Sequence, residues 1–337
     1  MLRQKPDISV IVCCHTKEFI YDFVASVKKS VGANYEIIVV SSDDELCTTG
    51  ILGCTVINGP DMPAAKRNMG SRIARGKYLA FFDDDTEIRP DCLAVFKSTM
   101  DMTGAGMLYG KLYKADEPTR FDEAGGFLTW TGFIWSRAEQ NIVDEGQYND
   151  IEPIFAGKSA SCIVDAKLFN KVCGFDEDFG ILGEESDLSW RIWLQGREVF
   201  FCPYAIAIHW FNCKRKDVKK YYTSKRVNRN GARNYCVMLI KNLELTNLCR
   251  ILPIHVSIWL TAGVIMTVTG KFGEGVNVFK GLLEVLATIP NILRKRRKVQ
   301  SNRAKSDVEL RSYIYRAPKL SYYTQRFCRY VRIGLHG

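Results

Sequence analysis

The chain has 337 residues, 47% of them hydrophobic, enough to bury a sizeable core and to exclude a disordered polymer. Its net charge of +10 is unevenly placed: residues 1–213 hold 21 Lys/Arg against 31 Asp/Glu, and residues 214–337 hold 26 against 6. A basic region of that kind is expected to meet polyanionic material, either nucleic acid or an anionic membrane surface.

In chain order, "ISVIVCC" (8–14) reads as a buried strand, "FIYDFVASVKKSV" (19–31) as an amphipathic helix and "YEIIVVSS" (35–42) as a second buried strand. After "CTVI" (54–57), "MPAAKRNMGSRIARG" (62–76) reads as a helix ending at Gly76, and "YLAFF" (78–82) as the next strand. Strand–helix alternation predicts parallel pairing with right-handed crossovers, and near-continuous apolar strands predict a sheet covered on both faces. A helix to about residue 100 follows, then strand-like segments near 106–113 and 126–136, "SASCIVD" (159–165), and a helix beginning near Asp165. "EESDLSWRIWLQG" (184–196) reads as a helix closed by Gly196, followed by strands "EVFFC" (198–202) and "AIAIHWF" (205–211).

The 12 cysteines include no CxxC pair, which argues against a zinc cluster, and a chain this apolar needs no disulfide framework. Cys13, Cys14, Cys162 and Cys202 lie in apolar runs, so a reducing, cytosolic compartment is expected. "MLRQKPD" leads into the first strand without an apolar segment and small-residue cleavage site, so secretion is not expected.

The character changes near residue 213, which predicts a domain over 1–213 and a basic, amphipathic and apolar helical region over 214–337. "ILPIHVSIWLTAGVIMTVTG" (251–270) has no Asp, Glu, Lys or Arg and is long enough to span a bilayer. Both flanks are basic, which opposes a single span under the positive-inside tendency. The preferred reading is a segment in the membrane interface or a re-entrant hairpin, with "VFKGLLEVLATIPNIL" (278–293) as companion and "RKRRK" (294–298) on lipid headgroups. A core helix buried against the first domain is the alternative.

"YLAFFDDDTEIRP" (78–90) runs from a buried strand into Asp83, Asp84 and Asp85. Carboxylates gathered at the C-terminal end of such a strand stand where open α/β sheets bind ligands. They suit a hard divalent cation that keeps positions for water and phosphate. His209, ending a short apolar strand, offers an imidazole to the same ion. Glu184, Glu185 and Asp187 open a helix and exceed what capping requires, so one of them is a candidate general base.

The order of "SSDD", "AKRNMG", "FFDDDT", "CGFDEDF", "GEESDLSWRIWLQG" and "AIAIHWF" resembles a family 2, GT-A-fold inverting glycosyltransferase, closest to the rhamnosyltransferase-like subgroup, over roughly residues 8–211. The resemblance implies a Rossmann-like, mostly parallel sheet flanked by helices, a nucleotide-sugar donor, and an acceptor hydroxyl on a lipid-linked or cell-surface glycan precursor. It also implies Mn2+ or Mg2+ as cofactor. It places His15, Thr16, Ser42 and Asp43 at the base, with Lys66, Arg67 and Asn68 near the nucleotide. Asp83 would serve ribose, metal-bound water or the metal itself, Asp84 the donor, and Asp85 and His209 the metal. Glu185 is the implied base, with Asp187 as its substitute and Glu184 as an acceptor contact. Trp130 stands in an aromatic-rich loop that would either line the acceptor or serve packing. The tail implies peripheral or monotopic attachment to the cytoplasmic face of the cell membrane. Two rival readings are a nucleotidyltransferase on a similar fold and a nucleic-acid-binding protein using the basic tail.

Overall fold

The computed structural model describes residues 5–15, 17–138, 142–210 and 223–316. They divide into two units: one takes residues up to Gly126 and those from Ser136 to His209 and Trp210, the other takes Phe127–Trp135 and the residues from Thr223 onward.

Strands Ile8–Cys14 (β1), Tyr35–Ser41 (β2), Thr55–Asn58 (β3) and Tyr78–Asp83 (β4) form a parallel block in the order β4-β1-β2-β3. β1 is buried at every position and β4 at all but its last, which explains their unbroken apolar sequences. The crossover helices are Lys17–Lys28 (α1), Asp44–Thr49 (α2) and Pro63–Ile73 (α3). α1 buries Phe19, Ile20, Phe23, Val24 and Val27, one stripe at helical spacing. Because β1, β2 and β4 run the same way, Cys14, Ser41 and Asp83 finish at one edge, and Cys13 pairs directly with Asp83.

Past β4 the sheet becomes mixed. A short strand Thr86–Ile88 (β5) precedes helix Cys92–Thr103 (α4), followed by Met107–Lys114 (β6), Phe121–Glu123 (β7), the hairpin Gly126–Leu128 (β8) and Ile134–Ser136 (β9), Glu152–Pro153 (β10) and Ser161–Asp165 (β11). Helices Ala166–Lys171 (α5) and Glu184–Leu194 (α6) lead to Val199–His209 (β12). β11 is antiparallel to both β4 and β6, while β12 is parallel to β6. The two strands expected at 198–202 and 205–211 are one strand, with a register shift between Cys202 and Ile206. Pro203, which has no N–H for a ladder, sits inside that shift.

The second unit is helical after its hairpin: Ser224–Asn242 (α7), Leu245–Val268 (α8), Phe272–Ala287 (α9), Ile289–Ser301 (α10) and Asp307–Ile314 (α11). Phe133, Ala232, Trp259, Met266 and Val278 form its core. A Cβ on Gly281 would meet the carbonyl oxygen of Arg229 at 2.3 Å, so α9 can approach α7 only with glycine there. The apolar run lies in α8, which buries His255, Trp259, Gly263 and Met266 along one stripe. Ile254, Ile258, Leu260, Val264 and Val268 are exposed, unlike the surface of a buried core helix. α9 and α10 are bent by 66° at their junction.

Candidate active site

Three adjacent aspartates at a strand end repel one another, and each is held by a different partner. Asp83, the most exposed, accepts from Nη2 of Arg67 at 2.8 Å. Asp84 is buried and turns back to accept the backbone N–H of His15 at 2.8 Å. Asp85 is also buried, with Oδ1 3.4 Å from Nε2 of His209 and its carbonyl accepting from the backbone of Trp210 at 2.8 Å. β5 explains how His209 arrives there: it pairs antiparallel with β12, setting His209 opposite Thr86.

One donor atom from each of Asp83, Asp85 and His209 lies within 4.8 Å of the others. Two carboxylates and an imidazole fit Mn2+ or Mg2+ better than a thiophilic ion. Nδ1 of His209 is 2.8 Å from Oδ2 of Asp122, and Oδ1 of Asp122 is 2.7 Å from Nζ of Lys158. Burial opposes a charge on His209, yet Asp122 and Asp85 outweigh it and hold its pKa up to about 10. Asp122 has no spacing signal in the sequence, being 87 residues from His209.

Beside the ends of β1 and β2, Lys66 is wholly buried: Nζ donates to the carbonyl of Cys14 at 2.6 Å and to Oγ of Ser42 at 3.2 Å. Asp61, which sequence reasoning did not single out, lies 3.5 Å from Nδ1 of His15, 3.7 Å from Nζ of Lys66 and 3.4 Å from Oγ of Ser42. It gathers His15, Lys66 and Ser42 around one carboxylate. Asp43 caps α2 by accepting from the backbone of Leu46 at 2.8 Å, and that bond, with Lys17 nearby, holds its carboxyl below the usual range. Asn68 staples α3 to the loop before α6, donating to the carbonyl of Phe175 at 2.9 Å and accepting from its N–H at 2.9 Å. Thr16 lies outside the described residues.

Arg67 is buried and serves two acids: besides Asp83, its Nη1 donates to Oε1 of Glu184 at 3.2 Å. Its guanidinium also stands 5.3 Å from the ring centre of Phe175. The residues expected to answer phosphate charge are thus largely occupied by neighbouring protein groups. Through these two contacts Arg67 joins the end of β4 to the start of α6.

α6 begins abruptly. Leu182 and Gly183 both have left-handed backbone, with φ of 74° and 92°, and for leucine that conformation costs roughly 1–3 kcal/mol. Glu184, Glu185 and Asp187 then occupy the first turn, where the helix dipole favours negative charge. Burial, followed by the charge of Glu184, pushes the half-buried Glu185 well above the ordinary carboxylate range. Asp187 faces the interior with no exposure and accepts from Nε of Arg191 at 2.8 Å. Trp130 belongs to the second unit, in the turn of the β8–β9 hairpin, and is 55% exposed.

Residues 9–162 match the model of glycosyl transferase family 2. No curated protein matches the chain. Among solved structures, GalNAc-T7 with UDP, GalNAc and Mn2+ superimposes with a TM-score of 0.55 at 13% identity, over 86% of this chain and 58% of that one. The chain therefore spans somewhat more than half the length of that structure. S. aureus TarS 1-349 superimposes with a TM-score of 0.52 at 16% identity, over 95% of this chain and 91% of that one. At these identities the likeness shows a shared, GT-A-like fold.

Proposed function

We propose that the chain is a divalent-metal-dependent, inverting glycosyltransferase that moves a sugar from a nucleoside diphosphate sugar to an acceptor hydroxyl. The observation that carries this reading is the double contact of Arg67, which couples the acid cluster closing β4 to the acids opening α6. A reaction separating leaving-group charge from proton removal needs two such centres beside each other. The family match over 9–162 and the Mn2+ in the GalNAc-T7 structure support it.

Asp83, Asp85 and His209 would hold the ion, which supplies neutralisation of the charge growing on a departing diphosphate. Glu185 takes the proton from the acceptor hydroxyl as its oxygen attacks the anomeric carbon, a role suited to a carboxylate whose basicity is raised by burial. Direct attack by the acceptor requires no covalent enzyme intermediate and inverts the anomeric configuration. Glu184 orients acceptor hydroxyls, His15, Ser42 and Asp43 take the nucleoside, and Asp187 supports α6 through Arg191. Exposed apolar side chains on α8 and exposed Arg294, Arg297 and Lys298 on α10 favour an acceptor on an anionic, cytoplasmic membrane surface, with the chain bound peripherally or monotopically.

The test is a panel of nucleotide sugars incubated with Mn2+ or Mg2+ and the full chain. Donor-dependent, metal-dependent transfer that Glu185→Gln abolishes while donor binding persists is the expected result. Nucleotidyl transfer insensitive to Glu185→Gln would replace this reading.

A further inference from the structure

We propose that Asp122, oriented by Lys158, is a positioning residue that decides which ring nitrogen His209 turns towards the ion. This rests on the metal reading of Asp83, Asp85 and His209 and concerns a pair of residues outside that cluster.

An ionised carboxylate can only accept hydrogen bonds. The ammonium of Lys158, which can only donate, lies 2.7 Å from Oδ1 of Asp122, so the carboxyl is held as an acceptor on that side and turns its other oxygen to His209. The nitrogen of His209 that lies 2.8 Å from Oδ2 of Asp122 is Nδ1, so Nδ1 must carry a proton. Nε2 is then the nitrogen left to face Oδ1 of Asp85, at 3.4 Å. Asp122 is itself braced: Nζ of Lys158 donates to its Oδ1 at 2.7 Å and to its carbonyl at 3.1 Å. It also lies on β7, which pairs with β6, the strand that carries β12 and His209. Carboxylates so placed set the tautomer and orientation of ligating histidines.

A plainer role would have Asp122 do no more than neutralise Lys158. The two roles separate in Asp122→Asn. An ammonium has only donors, so Lys158 claims the amide oxygen and turns the amide NH2 towards Nδ1. Nδ1 must then accept, so the single proton of the neutral ring, the form a ligand must take, sits on Nε2, where a lone pair is needed. Asp122→Asn is therefore expected to weaken Mn2+ binding by roughly 10- to 100-fold. Adding Lys158→Met frees the amide to flip, returns an acceptor to Nδ1, and is expected to restore most of the lost affinity. A role limited to neutralising Lys158 gives no such recovery.

The measurement is a titration of the full chain with Mn2+ alone, following loss of the free-ion electron paramagnetic resonance signal, with melting temperature recorded for every variant. Asp122→Ala, which loses the selection without inverting it, is expected to bind more tightly than Asp122→Asn and covers the case where the asparagine variant fails to fold. Equal binding by Asp122→Asn and the unaltered chain, or no recovery in the double variant, overturns the proposal. No Mn2+ uptake by the unaltered chain removes the metal reading, and this proposal falls with it.

Discussion

Nη1 of Arg67 donates to Oε1 of Glu184 at 3.2 Å across 117 residues of sequence, from a guanidinium whose other arm already holds Asp83. Both Arg67 and Glu184 are buried, so neither can exchange the other for water. Removing one partner of a buried pair costs about 3–5 kcal/mol because the other is left uncompensated. Arg67→Met is expected to lose stability on that scale in urea unfolding. Arg67→Lys, which cannot span both acids, should recover only part of it.

Glu185→Gln removes the proposed base while keeping nearly the same volume. Transfer is expected to fall by about 10²–10⁴-fold, with nucleotide binding in thermal shift unchanged. A Glu185 variant that turned over normally would end its assignment.

The raised pKa of Glu185 has a defined sign in both activity and stability. As a base it must be deprotonated, so transfer should rise with pH through an apparent pKa above that of an ordinary glutamate. A group whose folded pKa exceeds its unfolded one stabilises at low pH, and that contribution is lost as pH rises through the folded value. Glu185→Gln should therefore melt higher than the unaltered chain on the alkaline side and lose that advantage in acid.

Asp187→Asn tests the other acid of the first turn. Its carboxylate is spent on Arg191 with no exposure, so the expected phenotype is lower stability, again about 3–5 kcal/mol. A variant with native melting temperature and abolished transfer would make Asp187 the base.

Vesicle sedimentation checks the membrane reading. Ile258→Asp and Val264→Asp alter exposed positions of α8, so melting temperature should hold while binding to anionic vesicles falls. Arg294→Gln and Arg297→Gln should each weaken binding by about 1 kcal/mol, roughly fivefold, and abolish its salt sensitivity in part. Undiminished binding by all four would remove α8 and α10 from the contact.

Much of the fold was legible because its signals are local. β1, β2 and β4 are apolar over consecutive residues, and α1 repeats at helical spacing. The reversed strand β11 left no mark, since strand direction is decided by partners distant in sequence. At Pro203 the local rule misled: a residue that breaks a ladder reads as a strand end, but β12 absorbs it as an irregularity and continues. The grouping of Asp83, Asp85 and His209 was readable from residue type and strand ends. Asp61, Asp122 and the second contact of Arg67 were not, because each is defined only by what the folded chain brings beside it.

The antiparallel seam between β5 and β12 also fixes when this centre can come into being. A polypeptide leaving the ribosome displays its three aspartates more than a hundred residues before the strand bearing His209 has been made. Until that strand is laid against Thr86–Ile88, the cluster lacks the imidazole of His209. On the proposed metal reading, competence is thereby tied to completion: a nascent or truncated chain that stops short of β12 carries the aspartates, Arg67 and the acids of α6 but not the imidazole of His209.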